Sequence, residues 1–136
     1  MDMDADTLLA LGLFAQHFLV GVLLTVAFIA FYALATPHKE IRLIREGNSA
    51  AAIGLVGAVF GFILPLNLVF AVTSDLVIAV GWGIVALIAQ ILAHLGACLA
   101  MPGLSKDIAA GKISAGIVQA GVGVVTGMIS TAALTP

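Results

Sequence analysis

Charge is what this sequence most lacks. Only 9% of its residues are charged and 62% are hydrophobic, so the chain has too little polar surface to cover a globule in water. That shortage excludes a water-soluble domain and implies an integral membrane protein. Basic residues are scarce, with 5 Lys and Arg in 136 positions, which excludes a nucleic-acid-binding domain. A single cysteine, Cys98, excludes an internal disulfide. There is no glycine-rich nucleotide loop, no serine or cysteine beside an evident base, and no useful metal-ligand spacing. The chain therefore does not read as an enzyme, and no catalytic residue, metal or cofactor is expected.

What is present is four long apolar runs, about Leu8–Ala35, Ala50–Val72, Leu76–Ala100 and Ile113–Leu134. Each can cross about 30 Å of hydrocarbon as a helix, and none alternates with the two-residue period of a barrel strand. The expected fold is an all-α membrane protein. It has one membrane domain, residues 1–136, with four transmembrane helices paired as two hairpins over about 8–72 and 76–134. The first run exceeds one crossing, so it tilts or begins in the outer interface, behind Asp2, Asp4 and Asp6. Ala33-Leu34-Ala35 resembles a signal cleavage site, but the segment before it has no basic n-region and is too long, so the first helix reads as retained.

The basic residues set the expected orientation. Lys39, Arg42 and Arg45 lie between the first two runs, and Lys106 and Lys112 lie between the last two. An excess of Lys and Arg marks cytoplasmic loops, which places both of these loops in the cytoplasm and both termini outside.

These loops also introduce a repeat. "TPHKEIRLIREGNSAAAIGLVGAVFG" begins at Thr36, and a fainter copy, "MPGLSKDIAAGKISAGIVQAGVG", begins at Met101. Placing Ala51 on Ala115 also places Gly47 on Gly111, Ile53 on Ile117 and Gly57 on Gly121, while Pro37 falls one step from Pro102. The expectation is a duplicated hairpin, with both copies pointing the same way across the membrane.

Within the first loop, Pro37 ends a span, and His38 to Glu46 can form a short interfacial helix with Ile41 and Ile44 turned toward lipid or the bundle. Gly47 suits the left-handed end of that helix, and Asn48 or Ser49 can cap the next span. Lys39, Glu40, Arg42, Arg45 and Glu46 either set orientation as a solvated loop or also contact a cytosolic partner or anionic headgroups. Gly57 and Gly61, with Gly54 nearby, and Gly123 and Gly127 are spaced for close helix contact, within one subunit or between subunits.

A few polar groups sit where lipid is expected. Gln90, His94 and Cys98 follow one another at i, i+4 steps, and Gln119 lies at a depth similar to His94. They read as interhelical glue or as the lining of a hydrated path, with an imidazole able to change charge near neutral pH. Metal or haem binding finds only His94 and Cys98, because His17 lies nearly 20 Å away in depth by straight-helix spacing. Pro65 predicts a kink and frees the carbonyl of Gly61. Gln16, His17, Asn67 and Trp82 fall toward the outer interface.

"TPHKEIRLIREGNSAAAIGLVGAVFGFILPL", together with the four-span plan and the weaker second hairpin, resembles the YjfL-like family of bacterial inner-membrane proteins, a family of unknown function. The similarity covers essentially the whole chain and is most specific over Glu46–Ala52. The second hairpin departs from it, with Lys112 where the first has Asn48. The resemblance implies an inner-membrane location, duplicated hairpins, and a setting among membrane-stress proteins of the PspA kind. Two functions are compatible with these features. One is a homo-oligomeric channel or transporter-type subunit for an ion or small solute. The alternative is a membrane scaffold that recruits a cytoplasmic peripheral stress protein or organises lipid through its basic loop.

Overall fold

A computed structural model describes residues 3–135; Asp2 lies outside this range. Six helices follow in chain order: α1 (Ala5–Ala35), α2 (Glu40–Arg45), α3 (Ser49–Val72), α4 (Leu76–Ala100), α5 (Leu104–Ala109) and α6 (Ile113–Leu134). Among the described residues there is no strand. α1, α3, α4 and α6 are long and apolar enough to cross a membrane. Large side chains such as Phe14, Phe18, Leu34, Val77 and Leu99 point outward all round the bundle, a surface that only lipid covers without penalty.

Local chemistry explains where each span begins and ends. The Asp4 carboxylate accepts from the Thr7 hydroxyl and from the Thr7 N–H, the latter at 3.0 Å, which together hold its pKa below the usual carboxylate value. α1 is about 46 Å long at ~1.5 Å per residue, longer than the hydrocarbon core, and it ends at Ala35, with Thr36 as its cap before Pro37. Asp75 caps α4 by accepting from the N–H groups of Val77 and Ile78. Asn48, and not Ser49, caps α3, accepting from the Ala51 N–H at 3.0 Å. α3 runs unbroken through Pro65.

The charged loops each contain a short helix closed by the same turn. The sequence pointed to α2 but not to α5. Gly47 and Gly111 are both left-handed, at φ 86° and 82°. In the first turn Gly47 N–H donates to Ile44 O and Asn48 N–H to Leu43 O. In the second, Gly111 N–H donates to Ile108 O and Lys112 N–H to Asp107 O. This is the double bond pattern that satisfies the last carbonyls of a helix ending in glycine. Ile41 faces outward and Ile44 turns into the bundle.

α3 lies at the centre, and its most extensive contact is with α6. Gly116 rests on the backbone of Ala50, Gly57 on Ala120, Gly123 on Ala58, and Gly127 on Gly61. The paired residue numbers rise together, so the two helices run parallel. A methyl group at any of these glycines would collide with backbone of the facing helix. Gly54 is less tight, meeting only the flexible side chain of Gln119 at the closest points. The small-residue seam is therefore spent inside one subunit. The Gly61 carbonyl, which Pro65 deprives of its helical partner, lies against Gly127.

The glycines divide sharply in their expected tolerance. Gly127→Leu should lower stability by about 3 kcal/mol or prevent folding, because it overpacks a backbone contact. Gly96→Ala, with nothing within 4 Å of the added carbon, should be neutral or stabilising by up to about 1 kcal/mol. Equilibrium denaturation in mixed micelles distinguishes the two, and equal behaviour would refute the seam.

Candidate functional site: a polar column behind the charged loops

Buried and half-buried polar side chains gather behind the charged loops. Tyr32 and Thr36 come from the end of α1, His38 from the link after it, and Glu40 from α2. Gln90, His94 and Cys98 come from α4, Ser105 from α5 and Gln119 from α6. The loops that close each hairpin are folded back over the ends of the spans, so polar residues that look peripheral in sequence become interior.

From the loops inward the contacts form a column. His38 Nε2 lies 2.9 Å from Glu40 Oε1, and its Nδ1 lies 3.2 Å from the Ser105 hydroxyl. Cys98 Sγ is 3.7 Å from that hydroxyl and 3.6 Å from His94 Nε2. The His94 ring sits with its centroid 5.8 Å from those of both His38 and Tyr32. Gln119 donates to the Tyr32 hydroxyl, and Gln90 Nε2 donates to the carbonyl of Gly123 at 3.0 Å. Gln90 is about 15 Å along α4 from Ala100 at ~1.5 Å per residue, so the column reaches roughly the membrane midplane.

There it stops. Beside Gln90 and beyond it the interior is Phe28, Phe62, Leu66 and Ala86, with the Phe28 and Phe62 rings stacked 4.5 Å apart. Among the described residues no polar side chain carries the column through this plug. His17 and Asn67 instead border a separate groove of about 480 Å³ between α1 and α3. His17 Nδ1 is 2.8 Å from the Leu13 carbonyl of its own helix.

Gln90, His94, Cys98 and Gln119, singled out in sequence, thus share one interior, although their hydrogen bonds run mainly to other groups. Tyr32, Thr36 and Ser105 were missed. The available signal was that the chain's one tyrosine lies a turn before Pro37, level with His94. Glu40 reads as a loop residue open to partners and His38 as the start of the short interfacial helix, but Glu40 is 0% and His38 7% exposed. Their mutual contact, and the folding of α2 onto the bundle, turns them inward. Three atoms in the cluster have no partner: Glu40 Oε2, His94 Nδ1 and Gln119 Oε1. Buried polar atoms are nearly always bonded, so each of the three is exceptional for a protein interior. The His, Cys and carboxylate side chains among the described residues form no group of three placed to hold a metal.

Asn48 has a second task. Its Nδ2 donates to the carbonyls of Ile108 at 2.8 Å and Ala109 at 3.3 Å, tying the end of α5 to the start of α3. Lys112, its counterpart in the other hairpin, makes no cap bond and pairs with Asp107 at the surface. Lys39, Arg42, Arg45 and Glu46 stay exposed, with Arg42 and Glu46 3.1 Å apart.

The chain matches the family described as Domain of Unknown Function (DUF350) over residues 6–134. It belongs to the DUF350 family. This DUF350 protein is 32% identical over 130 residues to the UPF0719 inner membrane protein YjfL of Escherichia coli K12, a match covering 96% of each chain. The protein of that name from Escherichia coli O157:H7 matches to the same extent. No solved structure matches it. With its four apolar helices and these inner-membrane relatives, the DUF350 protein is an integral, multi-pass inner-membrane protein.

The His38–Glu40 contact should show as strong coupling. His38→Leu should cost about 3–5 kcal/mol by leaving a buried carboxylate unpaired, Glu40→Gln should cost less, and the double variant should recover part of the loss. Additive effects in denaturation titrations would mean the two groups do not interact.

Proposed function

We propose that the protein is a transporter-type subunit of a homo-oligomer, with the polar column as the cytoplasmic half of a path for a proton or small ion. The observation that supports this is the run of buried and half-buried polar groups from Ser105 and His38 to Gln90, which includes three unpartnered atoms. Intramembrane polar and ionisable groups are costly, and where they persist they commonly line ion or proton routes. The Phe28–Phe62 plug favours alternating access over a standing pore, because an open channel needs polar continuity to both faces. The like geometry of the two glycine turns supports a duplicated hairpin, a design that lets one half rock against the other. Assembly into an oligomer would use the outward faces, since the glycine seam is already buried. On this reading the charged loops face the cytoplasm, the termini face the periplasm, and the protein breaks no covalent bond.

Ion and proton flux into phosphatidylcholine liposomes tests the reading. The native chain should carry flux that a Gln90→Leu, His94→Leu double variant loses by about tenfold or more, provided the variant still inserts and melts cooperatively. Liposomes that stay tight to every ion at every voltage would remove the transport reading.

A second reading rests on the outward set of Lys39, Arg42 and Arg45. The protein would then be a scaffold whose loop recruits a cytoplasmic peripheral stress protein. Reversing those three charges should abolish recruitment while the Gln90, His94 variant retains it. The opposite pattern in a vesicle pull-down would eliminate the scaffold.

A further inference from the structure

Lys39 stands in a conformation that its residue type disfavours. Its φ is 46° and ψ 64°, in the left-handed region, and among the described residues every other positive φ belongs to glycine. One of these is Gly103, which precedes α5 as Lys39 precedes α2 and lies 64 residues further on. A glycine evidently serves at this point of the loop, yet the first hairpin keeps a lysine there against backbone strain. Strain of this kind tends to be retained where a side chain has work to do.

That side chain lines a groove of about 510 Å³ at the end of α1. Its floor is apolar, with Ala30 and Leu34 of α1 and Ile41 of α2, and Leu34 and Ile41 are 82% and 44% exposed. Its rim is cationic, with Lys39, Arg42 and Arg45. Of the two acidic residues beside it, Glu40 has its side chain fully buried, and Glu46 is engaged by Arg42. With Arg42 paired to Glu46, the groove keeps Lys39 and Arg45 as uncompensated cations at the level where a span leaves the hydrocarbon, directly above a strip that needs lipid to cover it. The other loop differs, because Lys112 is paired with Asp107 and one exposed lysine, Lys106, stands outside an ion pair.

We propose that this groove is a binding site for one anionic phospholipid, with the phosphate held by Lys39, Arg42 and Arg45 and an acyl chain laid along Leu34, Ala30 and Ile41. Charge complementarity selects the occupant. A zwitterionic lipid brings a cationic headgroup to a cationic rim, whereas phosphatidylglycerol brings a bare phosphate diester. The groove shares only the buried Glu40 with the polar column, and because flux is measured in phosphatidylcholine, either reading can fail alone.

The test uses the purified full-length chain in neutral detergent, titrated with phosphatidylglycerol or phosphatidylcholine, reading bound lipid by native mass spectrometry and the thermal midpoint. Phosphatidylglycerol should be retained at one per chain and raise the midpoint, and phosphatidylcholine should do neither. Lys39→Gly should raise the lipid-free midpoint by relieving the backbone, while weakening phosphatidylglycerol binding about fivefold, the worth of one cation at an anionic surface. Leu34→Gln should weaken binding of the long-chain lipid more than that of a short-chain analogue, and Lys106→Gln should leave binding unchanged. Undiminished binding by Lys39→Gly, equal retention of phosphatidylcholine, or displacement of the lipid by inorganic phosphate alone would each overturn the proposal.

Discussion

Gly116, Gly123 and Gly127 bring α6 so close to α3 that backbone meets backbone along most of their length. In lipid there is no hydrophobic gain from pressing one apolar helix on another, so close packing and weak carbonyl contacts must hold the pair together. The remaining structure depends on that parallel pairing. It sets the depth of Gln119 and of the Gly123 carbonyl that receives Gln90, and it brings the start of α3 beside the end of α5, where Asn48 joins them. α1 is attached more lightly, chiefly through Phe28 and Tyr32, and leaves a groove along its other half.

Against this rigid pair, the polar column is a concentrated electrostatic cost. Glu40, His38, His94, Gln119 and Gln90 are all nearly inaccessible, and only some of their atoms are satisfied by one another. Apolar residues of similar size would have built a cheaper interior. At the depth where the column ends, stacked Phe28 and Phe62 close the interior beside Gln90.

Much of the architecture was legible in the residues. Apolar runs of sufficient length predict spans, Pro37 and Gly47 predict where helices stop, and the i, i+4 spacing of Gln90, His94 and Cys98 predicts one face. The same spacing could not say whether the Gly57–Gly61 and Gly123–Gly127 steps faced a neighbour within the chain or another copy. Nor could the loop composition show that His38 and Glu40 turn inward while Arg42 and Arg45 do not, because four charged or titratable residues in one short turn look alike until the helix they stand on is docked.

Membrane residence, an all-helical fold, the number of spans and the glycine-ended loops follow from the chain alone, since they depend on local hydropathy and backbone chemistry that neighbours in sequence decide. The intramolecular seam, the inward His38–Glu40 pair, the recruitment of Tyr32 and Ser105 to the column, and the apolar plug were decided only by tertiary structure. Each requires residues tens of positions apart to meet, and a hydrogen-bond partner or a backbone contact at that range is a property of packing geometry, not of any local pattern.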